Sequence, residues 1–256
     1  MTGKHRFTTD EVDKFSTVEL ISELKRRYQV LSRPNRNCVL LGPSLSGVSS
    51  QADVLRREWG LCSLKRVEFL PNSNASLTEA VAKLSIEIDS FRCRKGFVLE
   101  NFPVNEEEAT LFDDMLAKKH KERMEYRTIL LNMPHNNDIE SEASLNQLMS
   151  RASGHLIHKP SGRIYNSNVS ELAPQTSKTD DVTGEALVGP SYDISSLKAN
   201  VASWWSTRQP ILERYFGSRL ERVDASQPMD SVSSAINQVL LIPRKAMQDD
   251  IGNASS

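Results

Sequence analysis

Short apolar runs alternate along this chain with longer stretches of helical periodicity, and that alternation limits the folds open to it. Asn37-Cys38-Val39-Leu40-Leu41-Gly42, then residues 96–99 and 128–133, read as strands buried on both faces, with 219–224 a weaker fourth. Helical patterns occupy 49–59, 77–91, 106–120, 141–151, 197–215 and 231–240. Strands separated by helices, joined by right-handed crossovers, give an α/β fold around a parallel sheet. Ahead of the first strand, Ser16-Thr17-Val18-Glu19 forms a capping box, and Val18, Ile21, Leu24, Tyr28 and Leu31 follow at helical spacing up to Pro34.

The stretch 154–192 breaks the rhythm. It is rich in Ser, Gly, Pro, Asn and Thr, and it is too long for a plain loop, so an inserted small subdomain or lid is expected. With 256 residues, 38% hydrophobic and 25% charged, the chain can bury a sizeable core without metal or disulfides. A net charge of −1 speaks against a general nucleic-acid binder. The sequence holds no apolar run long enough to span a membrane and no secretory leader. The cysteines, Cys38, Cys62 and Cys93, are odd in number and widely spaced, which predicts no disulfide framework and a reducing compartment. The expected location is intracellular, cytoplasmic first, with mitochondrial or ciliary association as alternatives. Five scattered histidines offer no metal-ligand pattern.

After the first strand comes GPSLSGVSS, from Gly42 to Ser50, with a helix to follow. Glycines five apart between a strand and a helix suit either a tight turn or a phosphate-binding loop, whose backbone N–H groups and helix N-terminus attract anions. A working loop continues with lysine; here Val48 follows Gly47. Trp204-Trp205, at helical spacing, read as core or interface residues rather than a stacking platform for a ligand.

From about Ser16 to Leu240 the chain resembles the adenylate kinases, most of all the eukaryotic forms with an N-terminal helical extension. Four segments carry the resemblance in order: NCVLLGPSLSGVSSQADVLRREWGLC, KGFVLENFPVNEEEATLFDDML, GHLIHKPSGRIYN and DDVTGEALV. The resemblance implies a P-loop NTPase-type parallel sheet flanked by helices, with a small inserted lid and a truncated arm for the nucleoside monophosphate. It divides the chain into a helical extension (1–34), a core (35–245) with a reduced arm (66–95) and a lid (154–192), and a flexible tail (246–256). Only 24 residues, Asn72 to Lys95, lie between Pro71 and Gly96, fewer than the family uses for that arm.

In this family, phosphate transfer from ATP to AMP depends on one lysine and five arginines. Aligned by motif, those positions hold Val48, Pro71, Val104, His155, Pro190 and Asn200. The family's AMP-binding Thr-Gly-Asp segment reads Arg66-Val67-Glu68, its adenine-reading glutamine is Glu108, and its metal-side aspartate is Glu100. Leu45 stands where a small residue is usual. Residual nucleotide contacts would come from Gly42, Ser44, Gly47, Val48, Ser49, Ser50 and Arg151, the last matching the arginine that packs on the adenine of ATP. In the lid, His158, Ser161, Asp180 and Thr183 occupy the places of two Cys pairs in zinc-binding relatives; these residue types imply a corner held by hydrogen bonds, without metal.

The implied function is an adenylate-kinase-like protein without phosphotransferase activity, serving as a scaffold subunit or regulator with protein partners. The alternatives are an active nucleoside monophosphate kinase, with Lys65, Arg66 or Arg163 recruited into the site, and a module that senses adenine nucleotide without turnover. No cofactor is required, although weak binding of ATP with magnesium fits the loop. No nucleic acid and no membrane are expected as partners.

Overall fold

The computed structural model describes residues 16–70, 76–119, 125–189 and 192–242. Five parallel strands form the central sheet: β1 (Cys38–Leu41), β2 (Cys62–Lys65), β3 (Phe97–Glu100), β4 (Arg127–Asn132) and β7 (Leu220–Asp224), in the order β2-β3-β1-β4-β7. β1 is central and wholly buried. Because successive side chains alternate in direction, Val39 and Leu41 join one apolar layer with Phe97, Leu99, Phe102 and Phe112. Cys38 and Leu40 join a second layer with Trp59, Val98, Ile129 and Ile236. Both layers are closed by helices, which is why the central strands read as unbroken apolar runs.

The helices are α1 (Thr17–Ser32), α2 (Val48–Trp59), a single turn α3 (Arg66–Phe69), α4 (Leu77–Ile88), α5 (Glu106–Lys119), α6 (Asp138–Gly154), α7 (Ile194–Ser203), α8 (Gln209–Phe216) and α9 (Met229–Leu241). The capping box before α1 forms: the Ser16 N–H donates to Glu19 Oε2 at 2.7 Å, and the Glu19 N–H donates to Ser16 Oγ at 3.3 Å. The helix expected over 197–215 is broken into α7, a π-helical turn at Trp204–Arg208, and α8. Trp204 is buried in the core, and Trp205 stacks on His135 at 5.1 Å between ring centres. Between α6 and α7 the chain makes a separate antiparallel pair, β5 (His155–His158) with β6 (Arg163–Asn166). The tail expected over 246–256 and the first fifteen residues lie outside the described residues.

Two readings need correction. β2 went unrecognised because it is a four-residue edge strand in which half-buried Ser63 and exposed Lys65 alternate with Cys62 and Leu64, too short and too polar to register as an apolar run. The cysteines also pair: Cys62 in β2 and Cys93 in the turn before β3 are joined by a disulfide, with their Cα atoms 4.9 Å apart. Their separation of 31 residues hid the contact, which arises because β2 and β3 lie side by side. Cysteine spacing therefore gives no support to a reducing compartment. Cys38 remains a thiol, and complete burial pushes its pKa up.

Candidate functional site

The loop from Gly42 to Gly47 links β1 to α2. Gly42 is confined by its surroundings: a Cβ there would lie 2.3 Å from Ser46 Oγ. Its N–H donates to Asn101 Oδ1 at 3.2 Å, tying the loop to the end of β3. Gly47 has φ 102°, a conformation that suits only glycine. Leu45 is also left-handed, with φ 67°, at a cost on the order of 1–2 kcal/mol for a side chain with a Cβ. Its side chain packs on the apolar layer beneath α2, which offsets that strain. Val48 opens α2 and is buried against the same layer while bordering the cleft.

That cleft, about 850 Å³, lies between the loop, α6, the β5–β6 pair, the start of α7 and the turn after β7. Its polar lining is mostly hydroxyl and amide, including Ser44, Ser49, Ser50, Gln147, Asn168 and Asn200. Among the described residues that line it, Arg151 is the sole lysine or arginine. Arg151 is committed: Nη1 donates to the Leu45 carbonyl at 3.2 Å and Nη2 to the Ala225 carbonyl at 2.7 Å. Burial lowers its pKa from the usual arginine value. His155 stacks on Tyr192 at 5.8 Å and hydrogen-bonds its hydroxyl through Nδ1. Burial lowers the imidazole pKa below its ordinary 6.5, so His155 is neutral at pH 7.

Over the cleft, the β5–β6 pair is held by a polar knot. The His158 ring meets Ser161 Oγ at 2.6 Å and Glu185 Oε2 at 2.7 Å. Asp180 accepts two hydrogen bonds from Arg163, at 2.7 and 2.6 Å, and one from the Tyr165 hydroxyl at 2.9 Å. The Thr183 N–H and hydroxyl donate to it at 2.8 and 2.9 Å. Arg163 first, then Thr183 and Tyr165, hold the Asp180 carboxyl well below the usual carboxylate range. His158, Ser161, Asp180 and Thr183 thus come together; Arg163, marked in the sequence only as a cation for the phosphate site, completes the knot with Tyr165 and Glu185, which the sequence did not single out.

No protein-family model matches the chain. Among curated proteins it is 29% identical over 251 residues to adenylate kinase 4 of Arabidopsis thaliana, covering 90% of this chain and 96% of that protein. It is 28% identical over 245 residues to adenylate kinase 4 of Oryza sativa subsp. japonica, covering 88% and 95%. With adenylate kinase of Kluyveromyces lactis the figures are 29% over 224 residues, 79% and 92%. The chain is a homologue of the adenylate kinases.

Four of the six positions that the adenylate kinase resemblance marks as cationic are described: Val48, Val104, His155 and Asn200. Pro71 and Pro190 lie outside the described residues. Val48, His155 and Asn200 line the cleft, whereas Val104 does not. The Val104 N–H instead donates to Glu108 Oε2 at 2.9 Å. Glu108, almost fully buried, also accepts from Arg66 Nη2 at 2.6 Å. Two residues on the AMP side of the adenylate kinase pattern therefore pair with each other, although the buried Arg66 Nε–H has no partner among the described residues. The two positions lie 42 residues apart, so only their opposite charges, and nothing in their spacing, hinted at the pairing.

Glu100, at the end of β3, is buried, and each of its oxygens accepts a serine hydroxyl, Ser49 at 2.7 Å and Ser63 at 2.5 Å. No lysine or arginine pairs with it among the described residues. Gln51, just after the loop, bonds to Met229 and Ser233 of α9, a packing role. Of the cations that an active site could recruit, Arg66 is held by Glu108 and Arg163 by Asp180, and Lys65 does not line the cleft.

Proposed function

We propose that this chain is an adenylate-kinase-like protein without phosphotransferase activity, retained as a structural or regulatory subunit of a protein assembly. The engagement of Arg151 with two backbone carbonyls carries this reading. It is the sole guanidinium lining the cleft among the described residues, and one N–H of each Nη is directed to the protein's own backbone. Phosphoryl transfer asks a protein mainly for positioning and for positive charge around the transferring group. One arginine at that point is worth roughly 10³–10⁵ in rate. With Val48, His155 and Asn200 at three of the six positions, Arg151 is left as the one guanidinium lining the cleft among the described residues, against the six cations of the family pattern.

The acceptor side supports the same reading. Arg66 and Glu108, at positions of the family's AMP-binding pattern, pair with each other, and the buried Glu108 carboxylate holds one end of the Arg66 guanidinium. Magnesium, which accompanies ATP in the family, would draw on the carboxylate at Glu100. Each of its oxygens accepts one serine hydroxyl and keeps acceptor capacity, so Glu100 with Ser49 is a hard-oxygen set that would suit that ion.

The open cleft and its glycine loop favour one further reading, a module that binds adenine nucleotide without turnover. Two measurements separate the possibilities. Purified protein given ATP and AMP is expected to form ADP no faster than a protein-free control; a rate well above control would refute the proposal and leave an active kinase. Calorimetry with ATP, ADP and AMP is expected to give no heat; saturable heat without ADP formation would replace the scaffold reading with nucleotide sensing.

A further inference from the structure

α1 is an amphipathic helix mounted with its polar side against the protein. It buries no residue fully. Its contacts with the body run through one face: Arg26 Nη1 donates to the Arg57 carbonyl at 2.9 Å, and Arg33 bonds Glu58 and lies 4.7 Å over the Trp59 ring. Glu23 and Val30, on that same face, are the most shielded residues of α1 itself. The opposite face carries Val18, Ile21, Leu24, Tyr28 and Leu31, which are 73, 48, 69, 73 and 71% exposed. At about 100° per residue these five fall in one stripe, turned away from the Glu23–Arg26–Val30 face.

Ile21, Leu24, Tyr28 and Leu31 are spaced three, four and three apart, the a/d pattern of a helix that pairs with another helix. In that register Lys25 and Arg27 fall at the e and g positions, one on each edge of the stripe. The helix's acids, Glu19 and Glu23, lie on the body side, where Glu23 binds Arg26 and Arg27 at 2.7 Å. Each edge of the seam thus carries one cation, Lys25 beside Val18 and Ser32 at e, and Arg27 beside Leu20 at g.

We infer that this face of α1 is a docking site for an amphipathic helix of another protein, one whose apolar stripe is edged by aspartate or glutamate. Like charges on both edges disfavour a second copy of this chain, since its seam would bring lysine and arginine against lysine and arginine. A helix of about 24 Å, two heptads long, also gives a homodimer little to hold it. An anionic membrane is the weaker fit. The seam follows the a/d pattern, and α1 carries three cations against two glutamates, well short of the Lys/Arg-rich polar face of a helix that lies in a membrane surface. The docking site adds to the scaffold reading by naming a partner's chemistry, yet it stands apart from the cleft. ADP formation in the assay above would end that reading and leave this one intact.

The test uses the full chain and a labelled peptide of about three heptads with Ile and Leu at a and d and Glu at e and g, followed by fluorescence anisotropy. A twin peptide with Lys at e and g is the control. The acidic peptide is expected to bind about tenfold tighter than the basic one, the scale of a few e/g ion pairs gained rather than opposed. Leu24→Glu with Tyr28→Glu should abolish binding without lowering the melting temperature, since neither side chain is buried. Lys25→Glu with Arg27→Glu should reverse the preference, a result that misfolding cannot mimic. Equal affinity for the two peptides would overturn the proposal, as would binding unaffected by Leu24→Glu and Tyr28→Glu. So would a concentration-dependent dimer that those substitutions dissolve, or co-sedimentation with phosphatidylcholine–phosphatidylserine vesicles in place of peptide binding. Acidic-peptide binding that appears only after residues 1–15 are removed would assign the stripe to the chain's own N-terminal segment and overturn it too.

Discussion

Removing the Arg66 side chain tests whether the acceptor region is closed on itself. Glu108 is 3% exposed and has two partners, the Val104 N–H at 2.9 Å and Arg66 Nη2 at 2.6 Å. Arg66→Ala leaves the buried carboxylate with one backbone donor. Breaking a buried pair from one side costs about 3–5 kcal/mol, but Arg66 itself is 33% exposed, and water reaching the vacated space lowers that to about 2 kcal/mol. For a chain of this size that is a fall of roughly 4–8 °C in melting temperature. Glu108→Gln removes the charge but keeps an acceptor for Val104, so it should cost less, about 1 kcal/mol. The double variant should then be more stable than the sum of the two losses predicts, by about 1 kcal/mol of coupling. Scanning calorimetry or urea titration of the four proteins gives the cycle. If Arg66→Ala costs under about 0.5 kcal/mol, the range of an ordinary surface change, Arg66 is free to swing and the argument for a closed acceptor region fails.

Val48→Lys alone should leave ADP formation at the protein-free level, because Val104, Asn200 and the Arg66–Glu108 pair are untouched; measurable turnover in that variant would show a working acceptor site. Asp180 has a pKa depressed from its ordinary 3.8, so the stability it contributes is present above that pH and is lost as pH falls through the lower folded value. The melting-temperature gap between the native chain and Asp180→Asn should therefore stay constant from neutral pH to about 5 and shrink below about 4; a gap that widens on acidification would reverse the sign of the argument. In denaturant without reductant, thiol titration should find one reactive cysteine, Cys38. Three would mean that Cys62 and Cys93 are not joined. Reduction should destabilise the chain by about 3–4 kcal/mol, the loop-closure value for a link across 31 residues.

The central strands were legible because a strand covered on both faces must be apolar at every position, as Cys38 to Leu41 are. The capping box at Ser16 was legible because both of its bonds are local. β2 and the Cys62–Cys93 bond were hidden for the opposite reason, since each depends on two distant segments lying side by side. At the cleft, motif positions show where the cations are missing. They do not show that Arg151, which survives, is tied to Leu45 and Ala225, nor that Glu100 accepts from Ser49 and Ser63. Side-chain partners of this kind are set by tertiary packing, to which one-dimensional spacing is blind. The stripe on α1 is an instructive case: its periodicity predicts a helix with a buried face, and the helix forms with that face turned outward.

Arg151 ties together three pieces of the molecule. It stands near the end of α6, just before the β5–β6 pair, and it grips both the loop before α2 and the turn after β7. Its two bonds act as a rivet between the base of the β5–β6 pair, the loop and the β7 turn. A chain fastened in this way is suited to holding one shape for something else to grip.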